Sequence, residues 1–395
     1  MPDACLPTLL FYCQHSLGIG HLTRSFALAR ALRTRFRVVF LNGGRLPQGM
    51  SVPERVSCIH LPPLGMDDGH TLVSRDAAID LASARAERRS LIEQAVASTR
   101  PALLLVELFP FGRKKFAAEI LPMIRAARRQ GARVACSLRD ILVDGRPDQQ
   151  HHDDRASWLA NRYFDGIVVH SDPAFARLEE SFRPRRSLRI PVWHSGFVVP
   201  ERRVDAGARR GEHVIVSAGG GIVGDALFRA ALDAHRRNGV PMQSVAGPFL
   251  PEAQWQALQR DAADLPGVQL LRHVPDLAAV MGTARASISQ CGYNTALDLV
   301  VSQVPALVVP YATATENEQS QRGLRLAALG AVQYLEPDAL DGEHLAAAIA
   351  ELLQFRPRPA ALALDGAQRS ADLLARLVRT PAAQAAPLEV ACSTC

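Results

Sequence analysis

Residues 289–319 read SQCGYNTALDLVVSQVPALVVPYATATENEQ, and the fold follows from this stretch. Apolar residues recur at helical spacing over 294–302, with Asp298 inside the pattern. Gln303 and Val304 form a turn, and Pro305 opens the next segment. Residues 306–309, ALVV, have the length and uniform apolarity of a buried parallel strand. Gly292 stands just ahead of the helix, where unpaired amides and the helix dipole favour an anion such as phosphate. Asp298, about one turn inside, is placed for ribose hydroxyls. The loop 311–317 then leads to Glu318 and Gln319, a polar pair suited to a sugar. Groups for phosphate, ribose and sugar thus follow one another along the chain.

With its parts in this order the stretch resembles the donor-binding segment of GT-B glycosyltransferases. The likeness is greatest to glycosyltransferase family 28, the family like the peptidoglycan-precursor N-acetylglucosaminyltransferase. Gly292, Asn294 and Thr295 on the first turn, Asp298, Val304-Pro305-Ala306 and Glu318-Gln319 carry it. Two positions depart from the pattern. Asp298 replaces a Glu and should still bind a ribose diol. Glu318 replaces a Gln, which leaves the donor sugar open.

The composition is that of a globular α/β chain. It has 395 residues, enough for two domains with separate cores. Hydrophobic residues make up 48% and charged residues 21%, which excludes a disordered chain. The net charge of +6 comes from arginine; Lys114 and Lys115 are the only lysines. That balance suits an anionic partner: a nucleotide, a lipid-linked acceptor or a membrane surface. No basic stripe with interleaved aromatics is evident in the sequence, so nucleic acid is not expected. A membrane span needs a run of about 18 apolar residues, and none occurs; the first residues lack the basic start and apolar core of a signal peptide, so none is expected. Seven scattered cysteines fit a reducing cytoplasm, with peripheral contact at the inner membrane face left open.

The first half opens as strand, glycine turn, helix. Residues 8–14 (TLLFYCQ) form a strand, 15–21 a turn, and 22–32 a helix. After Gly18 and Gly20 a dinucleotide fingerprint would need glycine at 23, where Thr23 stands, so a nicotinamide site is not expected. The form GxGHxxR, Gly18 to Arg24, resembles instead the first loop of GT-B transferases and of a related nucleotide-sugar hydrolase family. The resemblance places Gly18 and Gly20 near the donor phosphates and His21 at the cleft. A helix N-terminus lowers a histidine pKa, which suits a neutral general base. Further strands are expected at 37–41, 58–64, 102–106, 133–137 and 165–170, with a polar loop at 65–70 and a helix at 77–99. Acids at the carboxyl ends of parallel strands face the ligand crevice. Glu107 and Asp140 are thereby further candidates for the base. Arg139 is expected to pair with Asp140 or to line the acceptor cleft. His151-His152-Asp153-Asp154 reads as the solvated start of a helix rather than a metal site, since adjacent helical residues point apart.

A boundary near residue 200 is expected, giving an acceptor-side domain over 1–200, a donor-binding domain over 201–380 and a disordered tail at 381–395. The arginine- and proline-rich segment 183–189 falls just before it. The second half begins with a strand at 213–217, the turn Ala218-Gly219-Gly220-Gly221 and a helix at 225–238. Glycines after a strand let backbone approach a diphosphate. The resemblance implies the same contact, with Gly221 standing where a Ser is expected. A strand is expected over 268–273 and a short helix over 275–281. The resemblance places the nucleobase against the chain at Arg272, His273 and Val274. A strand at 286–289, another at 333–335 and helices at 342–354 and 367–378 complete the half; by resemblance the last crosses back to the first domain. A lone CxxC at 392–395 cannot close a four-ligand zinc site.

The expectation is a GT-B fold, two Rossmann-like domains facing a cleft. The resemblance implies sugar transfer from a nucleoside diphosphate donor, with UDP favoured, to an acceptor hydroxyl on a lipid-linked molecule, glycan or small molecule. No cofactor is expected. Attack of the acceptor oxygen on the anomeric carbon is expected to invert it, and the absence of an Asp-x-Asp motif favours a reaction without metal. A nucleotide-sugar hydrolase and a non-catalytic nucleotide-sugar binder are the alternatives.

Overall fold

A computed structural model describes residues 6–15, 20–47, 49–67, 71–200, 210–274, 276–313 and 316–380. The first part of the chain contributes strands β1 (Thr8–Cys13), β2 (Arg37–Asn42), β3 (Val56–His60), β4 (Leu64–Met66), β5 (Leu72–Ser74), β6 (Leu103–Glu107), β7 (Arg133–Arg139), β8 (Gly166–His170) and β9 (Val192–His194). Seven of them form a parallel sheet in the order β3-β2-β1-β6-β7-β8-β9, while β4 and β5 make a separate antiparallel pair. Its helices are α1 (Gly20–Leu32), α2 (Leu81–Thr99), α3 (Ala117–Arg129), α4 (Gln149–Tyr163) and the single turn α5 (Leu178–Ser181).

The second part contributes β10 (Val214–Ser217), β11 (Met242–Val245), β12 (Val268–Leu271), β13 (Ala286–Ser289), β14 (Ala306–Val308) and β15 (Gln333–Tyr334). They form a parallel sheet ordered β12-β11-β10-β13-β14-β15. Between and after them run α6 (Asp225–Asn238), α7 (Glu252–Ala262), α8 (Leu277–Thr283), α9 (Tyr293–Ser302), α10 (Glu318–Ala328), α11 (Gly342–Leu352) and α12 (Gly366–Arg379).

Both sheets are doubly wound. Strand β1 is covered on both faces: Leu9 and Phe11 join one apolar cluster, Leu10 and Tyr12 the other. That is why its sequence is apolar without alternation. The C-terminal helix α12 packs on the first sheet, where Leu373, Leu374 and Leu377 share a cluster with Leu28 and Leu32 of α1. Each sheet reverses its winding direction once, between β1 and β6 and between β10 and β13. At such a point the connections diverge to opposite faces and leave a crevice at the strands' carboxyl ends.

Several boundaries differ from the sequence reading. The strand expected over 58–64 is β3, ending at His60; Leu64–Met66 pairs with Leu72–Ser74 instead. Helix α2 starts at Leu81, because the Asp80 carboxylate caps it by accepting from Ser83 N at 2.7 Å. Helices α3, α7 and α10 had no counterpart in the sequence reading. Residues 16–19, 68–70, 201–209, 275 and 381–395, with Gly18 and the terminal CxxC, lie outside the described residues.

Candidate active site

The two switch points face each other. After β1 the chain enters α1 at Gly20, which sets His21 on its first turn. Glu107 ends β6, the neighbouring strand across the switch. Leu108 then takes a left-handed φ of 65°, turning the chain away at once. His21 Nδ1 lies 2.6 Å from Glu107 Oε1, and the same oxygen accepts from Arg24 Nη2 at 2.7 Å. Arg113 Nη2 stands 3.4 Å from Glu107 Oε2. Glu107 and Arg24 are buried, while the His21 side chain keeps 18% exposure.

These contacts fix the protonation. Burial by itself would raise the Glu107 pKa, but His21, Arg113 and Arg24 hold the carboxyl well below its usual range. An ionised carboxylate only accepts, so the His21 ring proton sits on Nδ1 and Nε2 keeps its lone pair. Burial pushes the His21 pKa down to about 4, with Arg113 and Arg24 adding to the effect and Glu107 opposing it. A neutral imidazole with an oriented Nε2 is the form a general base requires. Glu107 is engaged at both oxygens, Oε1 by His21 and Arg24 and Oε2 by Arg113. Arg24 also stacks on the Tyr293 ring, 5.0 Å from its centroid.

On the opposite face, Gly292 is the N-cap of α9, and a Cβ built there would have open space within 4 Å. Asn294 Nδ2 donates to Gly20 O at 3.1 Å, so the first turns of α9 and α1 touch across the cleft. Thr295 Oγ1 lies 3.8 Å from where a Gly219 Cβ would be. Asp298 is one turn further and shares the α9 face of Asn294 and Thr295; it is 5% exposed. The opposite α9 face, Tyr293, Ala296 and Leu297, joins an apolar cluster that Val274 packs against.

The glycine turn is sterically enforced. Gly219 and Gly221 have φ of 57° and 91°, and a side chain on Gly221 would collide with the Ala246 carbonyl oxygen. A side chain at 221 is therefore opposed by this backbone. Gly220 accepts from Phe249 N at 2.9 Å. His273 is exposed, with Nε2 3.9 Å from the position a Gly49 Cβ would take, so this strand end faces the first lobe.

The third candidate base stands away from the dyad. Asp140 does not meet His21: both of its oxygens are taken by Arg322, Oδ2 at 2.7 Å and Oδ1 at 2.9 Å, and the pair is buried. Burial raises the Asp140 pKa and Arg322 more than reverses this, holding it below its ordinary value. Asp140 thus stands as the buried partner of Arg322, apart from the His21–Glu107 pair. Arg139 does not pair with Asp140; it meets Glu318 at 2.8 Å. Gln319 Oε1 accepts from Cys291 N at 2.9 Å and Tyr311 N at 3.2 Å, tying α10 to the start of α9. A cavity of about 330 Å³, lined by Val143, Arg146, Pro147, Asp148 and Glu316, opens between the lobes beside these pairs; the dyad is not part of its wall. Sequence reasoning missed Arg113, Tyr293 and Arg322. Arg322 had one local signal, its position four residues after Glu318 on one helix face. Among the described residues no group of three potential metal ligands assembles, and His152 and Asp153 are buried in α4.

Comparison with known proteins bears on family and fold. Residues 249–377 match the glycosyltransferase family 28 C-terminal domain. A UDP-N-acetylglucosamine--N-acetylmuramyl-(pentapeptide) pyrophosphoryl-undecaprenol N-acetylglucosamine transferase of Mesorhizobium japonicum is 35% identical over 113 residues, 28% of this chain and 30% of that protein. Its namesake from Alkalilimnicola ehrlichii is 28% identical over 235 residues, 51% of this chain and 61% of that protein. The matched stretches thus cover less than two thirds of either relative. Among solved structures, a UDP-glucosyltransferase from Polygonum tinctorium superposes with a TM-score of 0.62 at 18% identity, over 96% of this chain and 100% of that one. Acinetobacter baumannii MurG does so with 0.56 at 18% identity, over 94% and 100%. Residues 249–377 are thus similar to the glycosyltransferase family 28 C-terminal domain, and the fold over nearly the whole chain is GT-B.

Proposed function

We propose that the protein is a glycosyltransferase that moves a sugar from a nucleoside diphosphate, UDP by preference, to an acceptor hydroxyl with inversion. The observation that carries this reading is the approach of neutral His21, paired with ionised Glu107, to the N-terminus of α9, with Asn294 touching Gly20. The α9 amides and the Gly219–Gly221 turn take the diphosphate, and helix N-termini stabilise it as it leaves. Asp298 takes the ribose and the chain at His273 and Val274 the base. Glu318 and Gln319 border the sugar. His21 Nε2 removes the proton from the acceptor hydroxyl as its oxygen attacks the anomeric carbon. Glu107 keeps the ring oriented and stabilises the imidazolium that forms. Asp140–Arg322 and Arg139–Glu318 hold the lobes together around the site. In this reading the halves meeting near residue 200 divide the work, the first presenting the acceptor and the second holding the donor.

The relatives named above take a UDP-linked amino sugar to a lipid-linked acceptor, which supports a UDP-sugar and keeps a lipid-linked hydroxyl first among acceptors to try. Incubation with a UDP-sugar panel, with and without candidate acceptors and with EDTA, tests the proposal. Acceptor-dependent release of UDP that survives EDTA is expected. Rapid sugar release without acceptor would make the protein a hydrolase, and no release under any condition would leave a binding protein.

A further inference from the structure

Tyr293 is the first residue of α9, directly after the Gly292 cap, and it is buried. Its side chain leaves the second lobe and reaches the first. The hydroxyl donates to His170 O, at the end of β8, at 3.1 Å and accepts from Val198 N at 3.0 Å. Burial raises the phenol pKa above its ordinary value, so the donated proton stays in place. Val198 lies just after β9, where the chain leaves the first sheet. The chain returns to that sheet through 363–366 and α12. The two crossings are bonded to each other: Phe197 N donates to Ala363 O at 2.7 Å, and Gly366 N to Phe197 O at 3.0 Å. The buried His170 ring is fixed beside them, with Nε2 2.7 Å from Ser137 Oγ and Nδ1 3.4 Å from Ser370 Oγ of α12. One hydroxyl thus pins the start of α9 both to the first sheet and to the hinge between the lobes.

The ring has a partner of its own, the Arg24 guanidinium stacked on its face. Arg24 is buried, gives Nη2 to Glu107 and leaves Nε without a partner. A desolvated cation held by one carboxylate oxygen relies on the aromatic face for the rest of its placement. The pairs Asp140–Arg322 and Arg139–Glu318 also join the lobes, but neither includes a member of the dyad. We infer that Tyr293 is a positioning residue that couples the donor helix to the base: its ring holds Arg24 on Glu107, and its hydroxyl sets α9 against the hinge. The lobes then close with His21 already aligned. This role rests on the transferase reading, in which α9 takes the nucleotide and His21 the acceptor proton. It also gives the ring an electrostatic consequence. Among the charges facing His21, Glu107 at the end of β6 raises its pKa, while Arg113 in the loop beyond and Arg24 on its own helix lower it. With Arg24 released, Glu107 is less neutralised, and His21 takes up its proton at higher pH.

Two substitutions at this position test the coupling, with kcat and donor KM measured across pH and the His21 ring followed by NMR titration. Tyr293→Phe keeps the stack and loses both hydrogen bonds. Its kcat should fall about tenfold, with donor KM within about twofold and the acid limb in place. Tyr293→Leu loses the stack as well. Its kcat should fall about a hundredfold, and the His21 titration should rise by about one unit. Arg24→Gln should raise that titration similarly, and Tyr293→Leu added to it should move it no further. Wild-type kcat in Tyr293→Phe overturns the inference, even where Tyr293→Leu does not fold. A His21 titration that Tyr293→Leu leaves in place overturns it too. So does a lower melting temperature and weaker donor binding with kcat at saturation unchanged, which is what a purely structural residue gives. The ring titration reads the coupling with or without turnover, so a failed transferase reading and a failed coupling are told apart.

Discussion

The two walls of the cleft are built on different physical principles. The first wall works with side chains: a buried carboxylate, two guanidinium groups and an imidazole whose charge states are set by each other and by burial. The second works mainly with backbone: two left-handed glycines, a bare helix N-terminus at Gly292 and a short polar face on α9. A side-chain site fails abruptly when one member is lost, because its partners are left buried and unpaired. A backbone site fails when it is crowded. The contrast gives each wall its own mutational signature.

The largest effect belongs to the first wall. His21→Ala should lower turnover about a thousandfold while nucleotide affinity, by isothermal titration, changes little. A variant with normal turnover would move the chemistry elsewhere. Next is an exception on the second wall, the carboxylate of Asp298. Asp298→Ala should weaken UDP binding about thirtyfold, the loss of charge-assisted hydrogen bonds, with turnover at saturating donor much less affected.

The glycines sharpen the comparison from the stability side. Gly221→Ala should lower the melting temperature, since φ of 91° and the Ala246 carbonyl both oppose a side chain. Gly292→Ala, with φ of −64° and open space, should melt like the wild type yet bind UDP about tenfold more weakly, because the methyl enters the anion's place. Equal melting of both variants would remove the distinction between a glycine needed by the fold and one needed by the ligand.

Smaller is the pH response. With His21 at about 4 rather than 6.5, kcat/KM should hold through mildly acid pH and fall only as pH drops through about 4, where Nε2 takes up a proton. Stability should follow the same sign. The unfolded chain binds a proton near pH 6.5 that folded His21, and His170 at about 3, cannot; stability is therefore full above pH 6.5 and lost as pH falls towards these values. Urea titrations across that range check this. Arg113→Ala, which removes one of the charges opposing protonation, should raise the acid limb by less than about one unit.

The second wall was the more legible in sequence because its parts are local. Gly292, Thr295 and Asp298 lie on one turn-and-a-half of helix, and periodicity alone aligns them. The glycine run at 219–221 announces a turn by itself. The first wall is assembled across 86 residues, from His21 to Glu107, and only the rule about strand ends pointed to the acid. That rule has no power to say which acid at a strand end is free. Glu107 and Asp140 are alike in sequence, both following apolar strands, yet one meets a histidine and the other an arginine from the far lobe. Arg322 is 182 residues from Asp140, beyond any periodic signal. Helix α10 escaped notice because its first turn, Glu318 and Gln319, reads as loop polarity; its apolar positions are few and late.

The most direct test of the central claim needs no knowledge of the acceptor: a calorimetric titration of UDP into the wild-type protein and into Asp298→Ala. A saturable isotherm in the first, weakened about thirtyfold in the second, is the result predicted for a nucleotide held between α9 and His21. No heat of binding with UDP or any other nucleoside diphosphate, or an isotherm unchanged by the substitution, would contradict it.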